Sequence, residues 1–219
     1  MKTLITAHSG CDGTPDNSME FVAHALQCGA DALEVDVRGK PDGTLYLSHD
    51  LTEDDCPLLI QTFQMLRGGS VRINCDLKQP GLEESVLDLA RSCGAADLLL
   101  FSGKVSVEKM AADPEIRART LLNVRSIRPE EGGPSIEEQL EGLRETCRAC
   151  GASIINVDYD MCTDPILDWL REAGIGVSAW TVNDEAAARR LLDHGVYNIT
   201  SRRPGMVLAL RDGSRGAVR

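Results

Sequence analysis

Two hydrophobic rhythms alternate along the chain. Short apolar or β-branched runs with a two-residue repeat predict strands, and longer stretches whose apolar residues return every three or four positions predict helices. Strand patterns fall at TLITAH (3–8), ALEVDV (32–37), TLYLSH (44–49), VRINCDLK (71–78), DLLLFS (97–102), TLLNVR (120–125), SIINVDY (153–159), IGVSAWTV (175–182) and YNITS (197–201). Helix patterns fill most of the gaps, at 17–30, 56–69, 82–95, 105–118, 135–152, 164–174 and 183–195. In the first of these Phe21, Val22, Ala25 and Leu26 form the apolar stripe and Gly29 is a stop. Ser135 and Glu138 have capping-box spacing. Asp164 is expected as a helix cap with Pro165 at the first helical position.

Strands that alternate with helices argue for parallel β/α units, closed into a barrel or left as a doubly wound open sheet. Nine strand patterns are one too many for an eight-stranded barrel, so one is an extension or a hairpin arm, and the pattern does not say which. No linker divides the 219 residues, and no repeat recurs along them. The expected organisation is one domain over 1–210, followed by a polar tail, RDGSRGAVR, over 211–219. The most loop-like internal stretch is SIRPEEGGPS (126–135).

Charge narrows the partners. A net charge of -11 makes the chain a poor general binder of nucleic acid or of anionic membrane, both of which need clustered cations. A small phosphate-bearing substrate stays compatible, since one positive pocket suffices. No apolar run has the length of a membrane span, and no stable membrane insertion is expected. MKTLITAHSG has too short an apolar core for a signal peptide, so the eight scattered cysteines read as reduced thiols of a cytoplasmic protein. Cys147 and Cys150 form a C-x-x-C pair, but no second pair completes a zinc set. Oligomeric state is left open.

The ionisable residues cluster at strand ends. His8 closes the first strand pattern, and Glu34 and Asp36 close the second. His49 and Asp50 close the third, and Asp76 and Lys78 the fourth. Positions i and i+2 of a strand share a face, so Glu34 projects beside Asp36, and Asp76 beside Lys78. In a β/α barrel the strand C-termini share the catalytic rim. Three carboxylates converging there repel one another unless a cation sits between them, and an all-oxygen set favours Mg²⁺ or Ca²⁺, with Mn²⁺ also suited. Two histidines beside such an ion can act as general base and general acid. A lysine next to them can neutralise a phosphate oxygen, a combination that suits displacement at a phosphodiester. His24, in mid-helix, and His194, at a helix C-terminus, are expected to be structural.

In order along the chain, AHSG (7–10), PDNS (15–18), LEVDV (33–37), PDG (41–43), LSHD (47–50), CDLK (75–78), SAWTVND (178–184) and GVYNITSRRP (195–204) resemble the motifs of the glycerophosphodiester phosphodiesterase family, in the phospholipase-C-like barrel superfamily. The resemblance implies a (β/α)8 TIM barrel that hydrolyses glycerophosphodiesters to glycerol 3-phosphate and an alcohol with a divalent metal. By position it implies His8 and His49 as the acid/base pair and Glu34, Asp36 and Asp76 as metal ligands. Lys78 and Ser9 would meet the phosphate, Trp180 would form an apolar wall for the glycerol, and Asn17 and Asp50 would support the site. Asn17 as a plain helix cap is an equal alternative.

Three departures stand out. Ser9 occupies the place of the family's usual arginine, exchanging a bidentate cation for a neutral hydroxyl. Lys104, Arg125 and Arg202 are the candidate replacements. Asp16 and Asp76 stand where glutamates are common, and only about 20 residues separate Asp50 from the next strand, which implies an open site. These departures leave two other readings: a barrel that binds a phosphorylated ligand without turning it over, or a phosphodiesterase acting on lysophospholipids.

Overall fold

A computed structural model describes residues 2–52, 54–125, 127–129 and 132–213. Its strands are β1 (Leu4–Ala7), β2 (Ala32–Gly39), β3 (Leu45–Leu47), β4 (Arg72–Leu77), β5 (Leu99–Gly103), β6 (Leu122–Asn123), β7 (Ile154–Asp158), β8 (Gly176–Trp180) and β9 (Asn198–Ser201). Eight of them run parallel in the order β5-β4-β2-β1-β9-β8-β7-β6. The two ends of this sheet meet where Phe101 pairs in parallel with Thr120 and Leu121 N donates to Phe101 O at 2.8 Å. The result is a nearly closed barrel with helices between the strands, the fold class expected.

The supernumerary strand pattern is β3. It lies off the barrel, antiparallel to β2, with Val37 opposite Leu47 and Gly39 opposite Leu45. TLYLSH therefore does not end on the rim as a parallel barrel strand would, which corrects the expectation for the third pattern. β2 overshoots the rim, the chain turns at Pro41-Asp42-Gly43, and β3 returns. The turn is held by Lys40 N to Thr44 O at 2.9 Å and by Gly43 at φ 87, a left-handed conformation that glycine adopts without strain. Ser48 N then donates to Asp36 O at 3.0 Å, so the chain is back at rim level when it reaches His49.

Strand alternation builds two interiors. Outside the barrel, Leu33, Val35, Ile73, Cys75, Leu99 and Phe101 pack with Phe21, Phe63 and Val86. Across the molecule, Ile155, Val157, Val177 and Ile199 pack with Leu140, Leu167, Leu170 and Leu191. Each fully buried large apolar side chain contributes roughly 1.5–3 kcal/mol. Inside the barrel, by contrast, a polar chain runs across strands. Thr6 Oγ1 donates to Asn198 Oδ1 (2.7 Å), Asn198 Nδ2 to Ser178 Oγ (3.0 Å), Ser178 Oγ to Asn156 Oδ1 (2.8 Å) and Asn156 Nδ2 to Asn123 Oδ1 (3.0 Å). Buried polar groups are tolerated when they satisfy one another in this way.

The helices are α1 (Met19–Ala25), α2 (Leu59–Leu66), α3 (Glu83–Ser92), α4 (Val107–Ala112), α5 (Pro114–Arg119), α6 (Ile136–Cys150), α7 (Asp164–Glu172), α8 (Glu185–Asp193) and α9 (Pro204–Gly213). The pattern over 105–118 is two helices, because Pro114 cannot continue α4 and Asp113 accepts from Glu115 N and Ile116 N to start α5. The capping box at Ser135 and Glu138 forms as expected. The cap of α7 is Thr163, one residue before the Asp164 expected, and Asp164 instead pairs with Arg190 and His194.

α9 had no strand-and-helix signature of its own. It carries the chain past the expected boundary at 210, because Arg211 is buried, donating to Thr3 O at 3.0 Å and pairing with Asp31. Residues 214–219 of the expected tail, and residues 126, 130 and 131 of the loop-like stretch, lie outside the described residues. The eight cysteines are all free. No described helix is long and apolar enough to cross a membrane.

Candidate active site

The parallel register of β2 and β4 sets Asp36 opposite Asp76, with Glu34 one inward position behind. Carboxylate oxygens of Glu34, Asp36 and Asp76 all lie within 4.8 Å of one another. Two of the three are held by neutral donors and by one cation. Asn17 grips Asp36 from both sides, with Nδ2 donating to its Oδ2 at 2.7 Å and Oδ1 accepting from its backbone N at 2.9 Å. Ser102 Oγ, opposite Asp76 on β5, donates to Asp76 Oδ1 at 2.8 Å. Lys78 Nζ sits 2.9 Å from Asp36 Oδ1 and also pairs with Asp76.

Glu34 receives no hydrogen bond among the described residues. Burial, and then the Asp76 and Asp36 charges, push its carboxyl well above the usual carboxylate range. Burial pulls the Lys78 ammonium down, but Asp76 and Asp36 outweigh it and the net shift is upward. A group of carboxylates this close, with one member left without a donor, could hold a metal ion, and the donors it offers are all oxygens.

His8 follows β1 and is half-buried. Its Nδ1 lies 2.7 Å from Ser9 O. A carbonyl can only accept, so Nδ1 carries the proton and Nε2 keeps its lone pair. Burial, the largest influence, lowers the His8 pKa from 6.5, and the Arg202 charge acts in the same direction. His49, arriving by the β3 arm, is exposed. Its Nδ1 lies 3.0 Å from Asp50 Oδ1, and Arg38 fixes its carbonyl through Nε (3.1 Å) and Nη2 (2.8 Å).

These groups share one cavity of about 380 Å³, lined by His8, Asn17, Glu34, Asp36, His49, Asp76, Lys78 and Trp180, by the candidate cation Arg202 and, beyond the expected set, by Asp16, Asn123, Asn156 and Thr181. Asn17 is not the cap of α1. Ser18 is, accepting from Phe21 N at 3.0 Å, and that frees Asn17 for Asp36. Ser9 does not line the cavity: it is 2% exposed, and its hydroxyl accepts from Asn17 N at 2.6 Å. Lys104 and Arg125 do not line it either, and of the three candidate replacements only Arg202 does. His24 pairs with Asp12 at 2.9 Å, and His194 caps α8. Cys147 and Cys150 lie on the buried face of α6, in the core.

Sequence reasoning missed Arg38, Ser102 and the lumen amides. A signal for Arg38 was present, two residues after Asp36 on the same strand. The amides alternate with apolar residues in INCD, IINVD and YNITS, a period-2 signal that ran through the strands as well as at their ends.

A β/α barrel with its ionisable groups gathered on the strand-end rim defines an enzyme-like barrel class. Comparison with known proteins sharpens this. No family model matches the chain. A glycerophosphodiester phosphodiesterase of Caldanaerobacter subterraneus subsp. tengcongensis is 21% identical, over 96% of this chain and 98% of its own. A glycerophosphodiester phosphodiesterase from Agrobacterium tumefaciens superposes with a TM-score of 0.72 at 22% identity, covering 96% of this chain and 100% of that one. A phosphodiesterase from Oleispira antarctica, solved with the product sn-glycerol-3-phosphate, gives a TM-score of 0.69 at 20% identity, covering 96% and 97%. The fold of this chain is the fold of glycerophosphodiester phosphodiesterases, the family its motifs resemble.

Proposed function

We propose that this chain hydrolyses glycerophosphodiesters to glycerol 3-phosphate and an alcohol. The observation that carries the reading is the presence of two imidazoles, one half-buried with a lowered pKa and the other exposed, beside three clustered carboxylates and a lysine in a single cavity. Glu34, Asp36 and Asp76 would hold a divalent ion, Mg²⁺ or Ca²⁺ with Mn²⁺ as a further option, since hard cations match oxygen-only ligands. Such an ion, when bound, supplies positive charge to the non-bridging phosphate oxygens.

His8 fits the role of general base. Its Nδ1 proton is committed to Ser9 O, so its Nε2 is free to take the proton of the substrate's glycerol 2-hydroxyl. That oxygen attacks phosphorus, and the bond to the leaving alcohol breaks. His49, oriented by Asp50 at Nδ1, delivers a proton to the departing alkoxide. Water then opens the resulting cyclic phosphate with the two roles reversed, giving glycerol 3-phosphate. Lys78 balances charge beside the carboxylates, and Trp180 offers its ring face to the glycerol carbons.

The test is release of glycerol 3-phosphate from glycerophosphocholine with Mg²⁺, Ca²⁺ or Mn²⁺, and again with EDTA. Release that EDTA stops is expected. Absence of release with every metal, alongside retained binding of sn-glycerol 3-phosphate, would replace this reading with that of a binding protein. Turnover of a substrate lacking the 2-hydroxyl would remove the cyclic step.

A further inference from the structure

Among the described residues, Lys78 and Arg202 are the lysine and arginine side chains that line the cavity. They differ in what they already hold. Lys78 is engaged by Asp36 and Asp76 together. Arg202, just after β9, makes one side-chain pair, Nη2 to Asp16 Oδ1 at 2.9 Å, and its Nε and Nη1 have no partner among the described residues. Its backbone is fixed from both sides: Arg202 N donates to Asn183 Oδ1 at 2.9 Å, and Arg202 O accepts from Asp12 N at 2.9 Å. The residue is therefore anchored at its base and pinned along one edge of the guanidinium, with the other edge unengaged.

The neighbouring loop makes room for this arrangement. A Cβ at Gly10 would lie 2.1 Å from Asp16 Oδ1 and 2.9 Å from Arg202 Nη1, and Gly10 has φ 74. Any side chain at position 10 would displace the pair. Position 9 contributes no anion ligand, because the Ser9 hydroxyl is buried and bonded to Asn17 N. Arg202 is near enough to bias His8, whose pKa it helps to lower, so its charge acts on the region where the base meets the substrate.

We propose that Arg202 binds the non-bridging oxygens of the substrate phosphate, using the guanidinium edge that Asp16 leaves free. Asp16 is then a positioning residue that keeps the fork aimed. A guanidinium presents paired N–H donors to phosphate, which a second lysine could not do. The inference rests on the reading that the substrate is a phosphodiester, and its test is chosen to fail separately from that reading.

The experiment is the affinity of the metal-loaded protein for sn-glycerol 3-phosphate by calorimetry, together with kcat and KM on glycerophosphocholine. Arg202→Ala is expected to weaken sn-glycerol 3-phosphate by about tenfold to a hundredfold, the range for one charged hydrogen-bonding group. Arg202→Lys recovers part of the loss, because it returns the charge without the paired donors. Asp16→Asn removes the carboxylate but leaves the Arg202 cation in place, and costs less than Arg202→Ala. Circular dichroism and thermal melts establish that each variant is folded. Unchanged affinity in folded Arg202→Ala overturns the proposal even if turnover is normal. Loss of affinity in a chain that never turns over supports it while sinking the hydrolytic reading. No measurable binding by the unsubstituted protein overturns it too.

Discussion

The two halves of the barrel line one cavity with opposite chemistry. From β1, β2 and β4, with the loop after β3, come His8, Glu34, Asp36, His49, Asp76 and Lys78. From β6 to β8 come Asn123, Asn156 and Trp180, neutral side chains, and Arg202 after β9 is the exception. The amides of this half bond to one another, from Thr6 through Asn198, Ser178 and Asn156 to Asn123, and only Trp180 Nε1 among its buried cavity-lining polar atoms lacks a partner in the described residues. The ionisable groups are not all satisfied in this way, since Glu34 sits unbonded against two like charges. An uncharged lumen is complete by itself, whereas a lumen of carboxylates is complete only with protons or a cation.

The sharpest way to break the comparison is in the ionisable half. His8→Ala and His49→Ala are each expected to cut kcat by about 10²–10⁴-fold, the usual worth of a general acid or base, while the melting temperature moves by only a few degrees. Near-normal turnover in either variant would remove that histidine from the mechanism. The amide half should respond the other way. Asn156→Ala removes the acceptor of the Ser178 hydroxyl and one of the two donors to Asn123 Oδ1, and should cost about 1–3 kcal/mol of stability in denaturant titrations, with a smaller loss of turnover than the histidine variants. A variant as stable as the parent would show that the chain of amides is not a structural element.

The smallest effect is in pH. Glu34 holds its proton more tightly folded than unfolded, so the metal-free protein should lose stability as pH rises from 4.5 through its raised value. His8 has the opposite sign. Its folded pKa lies below 6.5, so its contribution is present above 6.5 and is lost as pH falls through the window beneath that value. Denaturation of the EDTA-treated protein across pH should separate them, with Glu34→Gln abolishing the fall and leaving the rise. Persistence of the fall in Glu34→Gln would assign it to another group.

How much of this was legible in sequence depends on whether a side chain's direction is set by strand period. Glu34 with Asp36, and Asp76 with Lys78, were readable as rim pairs because i and i+2 share a face whatever the tertiary context. The cavity also receives His49, but by an antiparallel arm that the hydrophobic pattern could not distinguish from a ninth barrel strand. Ser9 and Asn17 were opaque for a different reason. They lie in a loop where Asn17 adopts φ 52, and that turns the Ser9 hydroxyl inward and the Asn17 amide toward Asp36. Loop direction of this kind has no periodicity to read. The cap of α7 shifted by one residue because Thr163 and Asp164 are both acceptable caps locally, and the pull of Arg190 and His194 on Asp164 is a tertiary contact.

The β3 arm separates two things that a barrel strand would have joined, the length of a segment and the location of the residue at its end. His49 is placed by the Val37–Leu47 pairing, by the Ser48–Asp36 backbone bond and by Arg38, all at the root of the arm. Nothing lies within 4 Å of a Cβ built at the tip, on Gly43. Residues added between Asp42 and Gly43 would extend a spur into solvent and leave the imidazole where it stands. The tip is thus a natural port in the molecule, a place to graft a label, a tether or a substrate-capturing loop directly above the rim, without retuning the chemistry below.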